Sequence, residues 1–250
     1  ELGIYSNLYK DIYFDKKNAI KETQHNFIKA NNLASRFKKS YKFIISELGF
    51  GTGLSFLMTL KLWKETKKPN AKLIYISFES APLTKIELNN VYKKVSGVKI
   101  LFNQLIKKLP ILYQSTHRIF FDSENVELIL IYDDFNSLKN FKFKADVWFL
   151  DGFTPKKNKS AWNSKLFEQI YLSTKFKGTF STFTSAGHVR RGLSNSGFSV
   201  SKVAGFGNKK ESLIGIKKPP SNKINKVSNS KEYIGPVAII GSGISGASLA

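Results

Sequence analysis

None of the 250 residues is a cysteine. That absence excludes a disulfide scaffold, a zinc–thiolate site, an iron–sulfur cluster and thiol-based catalysis. Methionine is nearly absent too: the only one is Met58 and the first residue is Glu1, so the chain reads as a fragment of something longer. No apolar run approaches the ~18–20 residues a membrane span needs, and no signal-peptide pattern opens the chain. Acids are scarce, 18 Asp and Glu against 40 Lys and Arg, for a formal charge of +22. Only four of those cations are arginines: Arg36, Arg118, Arg190 and Arg191. An AT-rich coding bias explains Lys over Arg but not the shortage of acids. A polyanionic partner, nucleic acid first, is the expectation. An acidic membrane surface is the competing reading, and no strongly amphipathic basic helix supports it.

Hydrophobic residues make up 42% and aromatics 14%, enough for a sizeable core. Residues 19–37 carry a loose helical period. Lys42–Leu48 reads as a buried strand, Gly49–Gly53 as a tight loop and Leu54–Trp63 as a helix. Leu73–Phe78 is a second strand closed by Glu79, and Pro82 suits the first turn of a following helix. Arg118–Phe121 and Val126–Tyr132 form a strand pair around Asp122–Asn125, and Asp146–Leu150 is another buried strand closed by Asp151 and Gly152. A helix is expected over 163–173, a strand over Gly178–Thr184 and a helix over Ala186–Ser194. Strands alternating with helices imply an α/β fold with a doubly wound, mostly parallel sheet and an N-terminal helical extension. Residues 1–217 form the main domain, 218–235 a basic polar linker, and 236–250 the truncated start of a second strand–loop–helix unit.

Two glycine loops follow strands. Gly241, Gly243 and Gly246 complete a G-x-G-x-x-G after the apolar run VAII, a dinucleotide fingerprint of the FAD or NAD kind. Four residues after Gly246 cannot build a dinucleotide pocket. The first loop, Glu47-Leu48-Gly49-Phe50-Gly51-Thr52-Gly53, differs by its acid two residues before the first glycine. A carboxylate there would repel a pyrophosphate but suits a ligand with a cationic sulfonium and an amino-acid end, S-adenosylmethionine. Glu79, at the end of the next strand, is placed to accept the ribose hydroxyls.

The segments ELGFGTGLSF, ISFESAPLT, VWFLDGFTPKKNKSAW and FSTFTSAGHVRRGLSNSGF, then GFGNKKESL, resemble the bifunctional tRNA 5-methylaminomethyl-2-thiouridine biosynthesis (MnmC) family. The opening DIYFDKKNAIKETQHNF is similar to that family's N-terminal segment, and the likeness runs from about residue 11 to 250. It implies a Rossmann-like, class I S-adenosylmethionine-dependent methyltransferase fold, acting in the cytoplasm on the wobble uridine of tRNA. In the full-length family an FAD-dependent half removes a carboxymethyl group and the methyltransferase half methylates the exposed amine. This chain carries the methyltransferase half and only the opening of the flavin half. Ser55 stands where the family usually has Asn, and Tyr132-Asp133-Asp134 replaces an aromatic-Gly-Asp pattern, with Asp134 the favoured adenine contact.

Asp151 ends a strand at the carboxyl edge where open α/β sheets place ligands, so it is the candidate to orient the acceptor amine and take its proton, or else a helix cap. Phe153, Trp162 and Phe183 are candidates to stack a splayed base. Glu22 and Thr23 enter on the resemblance alone, as residues closing over the pocket. Arg190 and Arg191 read as a phosphate clamp or a solvated helix face, with Lys156, Lys157, Lys159, Lys209 and Lys210 along the same rim. His25, His117 and His188 share no metal spacing, and no metal is expected. Two rival readings stay open: a methyltransferase for a small amine, as in polyamine-synthase-like relatives of the fold, and a non-catalytic RNA-binding remnant.

Overall fold

Segments apolar at every position must be covered on both faces, and they assemble here into one central sheet. The computed structural model describes residues 3–6, 11–15, 18–93, 95, 97–152 and 162–218, the first two stretches through backbone alone. Strands β1 (Gly3–Ser6) and β2 (Asp11–Asp15) pair with each other in a separate antiparallel ribbon. Helix α1 (Ala19–Thr23) continues into a π-helical turn (Gln24–Lys29), and α2 (Leu33–Phe37) follows a left-handed Asn32. Then come β3 (Lys42–Leu48), α3 (Leu54–Thr66), β4 (Lys72–Glu79), α4 (Lys85–Tyr92) and α5 (Lys99–Lys108). The chain continues through β5 (Ser115–Phe121), β6 (Val126–Tyr132), β7 (Ala145–Leu150), α6 (Ser164–Leu172) and β8 (Thr174–Thr182). It closes with α7 (Gly187–Asn195), β9 (Phe198–Ala204) and β10 (Glu211–Lys217).

The eight-stranded sheet has the order β5-β6-β4-β3-β7-β8-β10-β9. Strands β6, β4, β3, β7 and β8 run parallel, while β5 and β10 are antiparallel to their neighbours. From β3 the chain winds outward through β4 to β6, then returns to add β7 on the other side of β3. The order therefore reverses between β3 and β7, where such sheets open a crevice at their carboxyl edge.

Period-2 alternation sends Val147 and Phe149 into one core and Trp148 and Leu150 into the other. The first core joins Phe43, Ile45, Leu73 and Tyr75 of the sheet to Phe27, Phe37, Trp63 and Phe102 of the helical layer. The second packs Phe78, Phe180 and Leu213 against Leu166, Phe167, Val189 and Leu193. Polar staples fix the N-terminal helices to the sheet. Arg36 donates to Thr179 Oγ1 (2.8 Å) and the Asp146 carbonyl (2.9 Å), and Asn31 Nδ2 donates to Ser181 Oγ (2.7 Å).

The structure departs from the sequence reading at several places, the unread β1–β2 ribbon among them. Pro82 lies in the loop before α4, whose start is set by a Thr84–Glu87 capping box. Helix α5 was not anticipated, although Leu101, Phe102 and Leu105 bury one stripe at helical spacing. Strand β8 begins four residues before Gly178, because a left-handed Lys177 and a register shift interrupt it. Strands β9 and β10 went unread: β9 is an edge strand, half-exposed, without the apolar run of a central strand.

Trp63 is fully buried, edge-on to Phe37 at 4.9 Å, and its indole N–H donates to the Glu124 carbonyl at 3.0 Å. Trp63→Ala removes the packing and orphans that carbonyl, so denaturant titration should read a loss of about 3–5 kcal/mol.

Candidate functional site

Strand β3 delivers Glu47 and the glycine loop to the crevice. Gly49, Gly51 and Gly53 all have positive φ, at 89°, 52° and 77°. Gly49 has the strictest requirement: a Cβ there would lie 2.6 Å from the Asp151 carbonyl oxygen. The loop therefore touches the end of β7 backbone to backbone. Gly49 N–H donates to Phe78 O (2.8 Å), and Asp151 N–H donates to Leu48 O (3.1 Å). These bonds hold the ends of β4, β3 and β7 together.

Four acids gather at this edge. Glu47 is 1% exposed; its Oε2 accepts from Ser77 Oγ (2.7 Å), while Oε1 makes no hydrogen bond among the described residues. Burial first, then the nearby Asp151, pushes Glu47 well above the ordinary carboxylate range. The buried Tyr75 hydroxyl lies beside it and is also pushed up, by burial and by the Glu47 charge. Glu79 accepts the Gly51 N–H on one oxygen and the Ala81 N–H on the other, both at 2.8 Å. Burial raises it, and those N–H groups oppose the rise.

Asp151 is partly exposed at the crevice wall. Enclosure by protein, then the Glu22 carboxylate, push it up to about 7, against Lys209 and the Ser55 hydroxyl, which act in the opposite direction. Ser55 Oγ stands 3.4 Å from Asp151 Oδ2, a weak bond at best. Glu22, on α1, pairs with Lys209 Nζ at 2.9 Å, and that ammonium lies 4.8 Å from the Phe183 ring centroid. The structure thus brings Glu22, Asp151, Ser55, Phe183 and Lys209 around one spot.

The other sequence candidates fall as follows. Thr23 is buried on α1. Asp134 caps a 3₁₀ turn (Phe135–Asn140) by accepting the Asn136 N–H at 2.8 Å, and the preceding Asp133 N–H donates to Glu79 O at 3.1 Å. Trp162 is buried against Phe167 and Phe183. Arg190 and Arg191 are exposed on α7, which leaves the same sheet edge after β8. Phe153, Lys156, Lys157 and Lys159, and Gly241, Gly243 and Gly246, lie outside the described residues. Sequence reasoning missed Tyr75 and Ser77 as companions of Glu47. A polar residue at an inward strand position was the only available signal. Among the described residues no cluster of three or more His, Asp or Glu side chains is placed to hold a metal, and no helix is long and apolar enough to cross a membrane.

Residues 96–218 match a family model described as S-adenosyl-L-methionine-dependent methyltransferase. A tRNA 5-methylaminomethyl-2-thiouridine biosynthesis bifunctional protein MnmC from Marinomonas is 41% identical over 217 residues, 84% of this chain and 32% of that protein. The like-named protein from Marinobacter nauticus is 37% identical over 249 residues, 97% of this chain and 39% of its own length. The chain therefore spans about a third to two fifths of these relatives. A crystal structure of MNMC2 from Aquifex aeolicus superposes with a TM-score of 0.70 at 24% identity, over 86% of this chain and 67% of that one, and so shares the fold. The donor set suits S-adenosylmethionine: a buried Glu47 oxygen without a hydrogen-bond partner among the described residues, for a cationic amino group, and a glycine cradle in which Gly49 and Gly53 leave no room for a Cβ.

A neutral side chain at 151 tests the charge burial. Asp151 is raised from 3.8 to about 7, so the native state holds its proton through a window where the unfolded chain has lost it. Stability then falls as pH rises from about 4 to about 7, by a ceiling of about 4 kcal/mol before discounting solvent access. Asp151→Asn should melt several degrees above the parent at pH 8, with most of the gain gone at pH 4, as read by calorimetric scans.

Proposed function

This chain is an S-adenosyl-L-methionine-dependent methyltransferase, homologous to the methyltransferase half of the MnmC proteins, and we propose that it methylates the 5-aminomethyl amine of a wobble 2-thiouridine in tRNA, giving 5-methylaminomethyl-2-thiouridine. The observation that carries the reading is Asp151, raised to about 7 at the end of β7, against the glycine loop and flanked by the Glu22–Lys209 ion pair, a proton acceptor placed where an alkylamine would react. The tRNA substrate, and with it the cytoplasm, comes from the relatives' names and agrees with the +22 charge. Residues 1–217 are assigned to this domain, 218–235 to a linker and 236–250 to the start of a flavin-binding unit.

Bound S-adenosylmethionine supplies an electrophilic methyl group on a sulfonium. Glu47 and the glycine loop would hold its amino-acid end, Glu79 its ribose and Asp134 its adenine. The protein's remaining task is the proton. A free alkylamine resembles Lys, with a pKa of ~10.4, and must shed a proton before it can attack. An ordinary Asp at 3.8 would leave that transfer uphill by about 9 kcal/mol; Asp151 at about 7 narrows the gap to about 5 kcal/mol. Asp151 also orients the amine's lone pair, and holding donor and acceptor in line supplies much of the remaining acceleration. Because Asp151 must be ionised to act, transfer should rise with pH through about 7. Arg190 and Arg191 are assigned to the phosphate backbone next to the splayed nucleotide.

Calorimetric titration with S-adenosylmethionine, followed by labelled methyl transfer to tRNA bearing 5-aminomethyl-2-thiouridine, tests the reading. Binding with transfer is expected. Transfer to a small amine but not to tRNA would favour the polyamine-synthase-like alternative, and binding with no transfer at all would reduce the chain to a remnant. Asp151→Asn should bind S-adenosylmethionine like the parent and lose at least about tenfold in transfer. Glu79→Ala should weaken S-adenosylmethionine well before it affects tRNA; the reverse pattern removes Glu79 from the ribose.

A further inference from the structure

Lys209 does not stand on the rim as a free surface lysine. Its ion pair with Glu22 joins residues 187 positions apart, and a second contact ties the adjoining π-helical turn to the end of β9: His25 Nε2 lies 2.8 Å from the Ala204 carbonyl oxygen. The His25 ring also sits 5.9 Å from that of Phe206. The β9–β10 loop that carries Lys209 has one compact shape. Gly205 N–H donates to Lys210 O and Lys209 N–H to Phe206 O, both at 3.1 Å. A Cβ at Gly205 would collide with the Lys209 carbonyl. This frame directs the ammonium to the Phe183 face and to Glu22, within electrostatic reach of Asp151.

The groups facing Asp151 come from five elements: Glu22 on α1, Ser55 on α3, Glu47 ending β3, Tyr75 on β4, and Lys209 on the hairpin loop. Three are acids or phenols and one is a hydroxyl; among the described residues Lys209 is the one cation acting on Asp151. We propose that Lys209 is a positioning residue for methyl transfer: it draws Glu22 and the N-terminal helix over the crevice and sets a fixed positive charge beside Asp151, where the acceptor amine must react. The inference rests on the amine-methyltransferase reading above. A cation at that spot serves the reaction twice. It favours the ionised form of Asp151, and it disfavours the protonated form of a neighbouring amine, leaving the nucleophile free.

The test uses the full chain with Lys209→Met, Lys209→Arg and Glu22→Gln. In Lys209→Met the acid limb of the kcat/KM profile for tRNA methylation should move up by about one pH unit, a loss of about fivefold at pH 7 that approaches tenfold at lower pH and recovers at higher pH. Lys209→Arg should restore the parent profile. Carboxyl ¹³C NMR of Asp151 in the substrate-free protein gives a readout independent of substrate. Its midpoint should rise in Lys209→Met and fall in Glu22→Gln, because one change removes the opposing cation and the other the repelling acid. A merely structural clamp would move both variants the same way or neither, and either result overturns the proposal, as does failure of Lys209→Arg to rescue. If the opposite NMR shifts appear but the parent methylates no tRNA, the charge placement of Lys209 stands and the tRNA reading falls.

Discussion

Everything in this site depends on how closely two strand ends approach. At the carboxyl edge of the sheet, Gly49 lies so near the end of β7 that a single added carbon would strike the Asp151 carbonyl. The Gly49 N–H reaches β4 through Phe78 O, and the Asp151 N–H reaches β3 through Leu48 O. Three strands are thereby pinned at the point where the strand order reverses. The glycine loop that suits a methyl donor and the carboxylate that suits an acceptor amine become neighbours through the same backbone bonds. Neither group can shift without disturbing the other.

Against a formal charge of +22, the concentration of acids at this edge carries a cost in stability. Glu47, Glu79 and Asp151 are each raised by burial, and among the described residues no arginine acts on them. The protein instead supplies dipoles, backbone N–H groups for Glu79 and the Ser77 hydroxyl for Glu47, and for Asp151 a Lys209 ammonium already paired with Glu22. Acids held this way keep spare acceptor capacity. Full ion pairing would stabilise the fold and occupy the lone pairs that a cationic ligand needs. Elsewhere, where no ligand is expected, acids are paired directly: Glu127 with Lys72 and Arg118, and Glu124 with Lys64.

The N-terminal helices and the β9–β10 hairpin come from opposite ends of the domain and meet through the Glu22–Lys209 ion pair and the His25–Ala204 contact. The π-helical turn carries His25 and follows directly on the helix that carries Glu22, an irregularity of the kind often found at functional sites. Arg36 and Asn31 anchor this arm to β7 and β8, so the arm that presents Glu22 is braced by the same sheet that presents Asp151.

Local pattern determined a good deal of this molecule. The apolar runs of β3, β4, β6 and β7 were legible because buried central strands must be apolar on both faces. The glycine loop was legible because three of its backbone positions have positive φ, a conformation glycine adopts readily. Glu47, Glu79 and Asp151 could be picked out as acids closing strands, since strand ends at the carboxyl edge are where α/β sheets expose functional groups. Tertiary structure alone decided what those acids face. That Glu22 meets Lys209, that Lys209 rests on Phe183, and that Asp151 is raised to about 7 all follow from contacts between residues far apart in the chain. Edge strand β9 escaped notice because a half-exposed strand needs no apolar run, and its inner neighbour β10 went unread with it, yet the loop between them carries a cation acting on Asp151. Periodicity reports which side of an element is buried; the electrostatics of a site depends on which elements the fold brings to meet there.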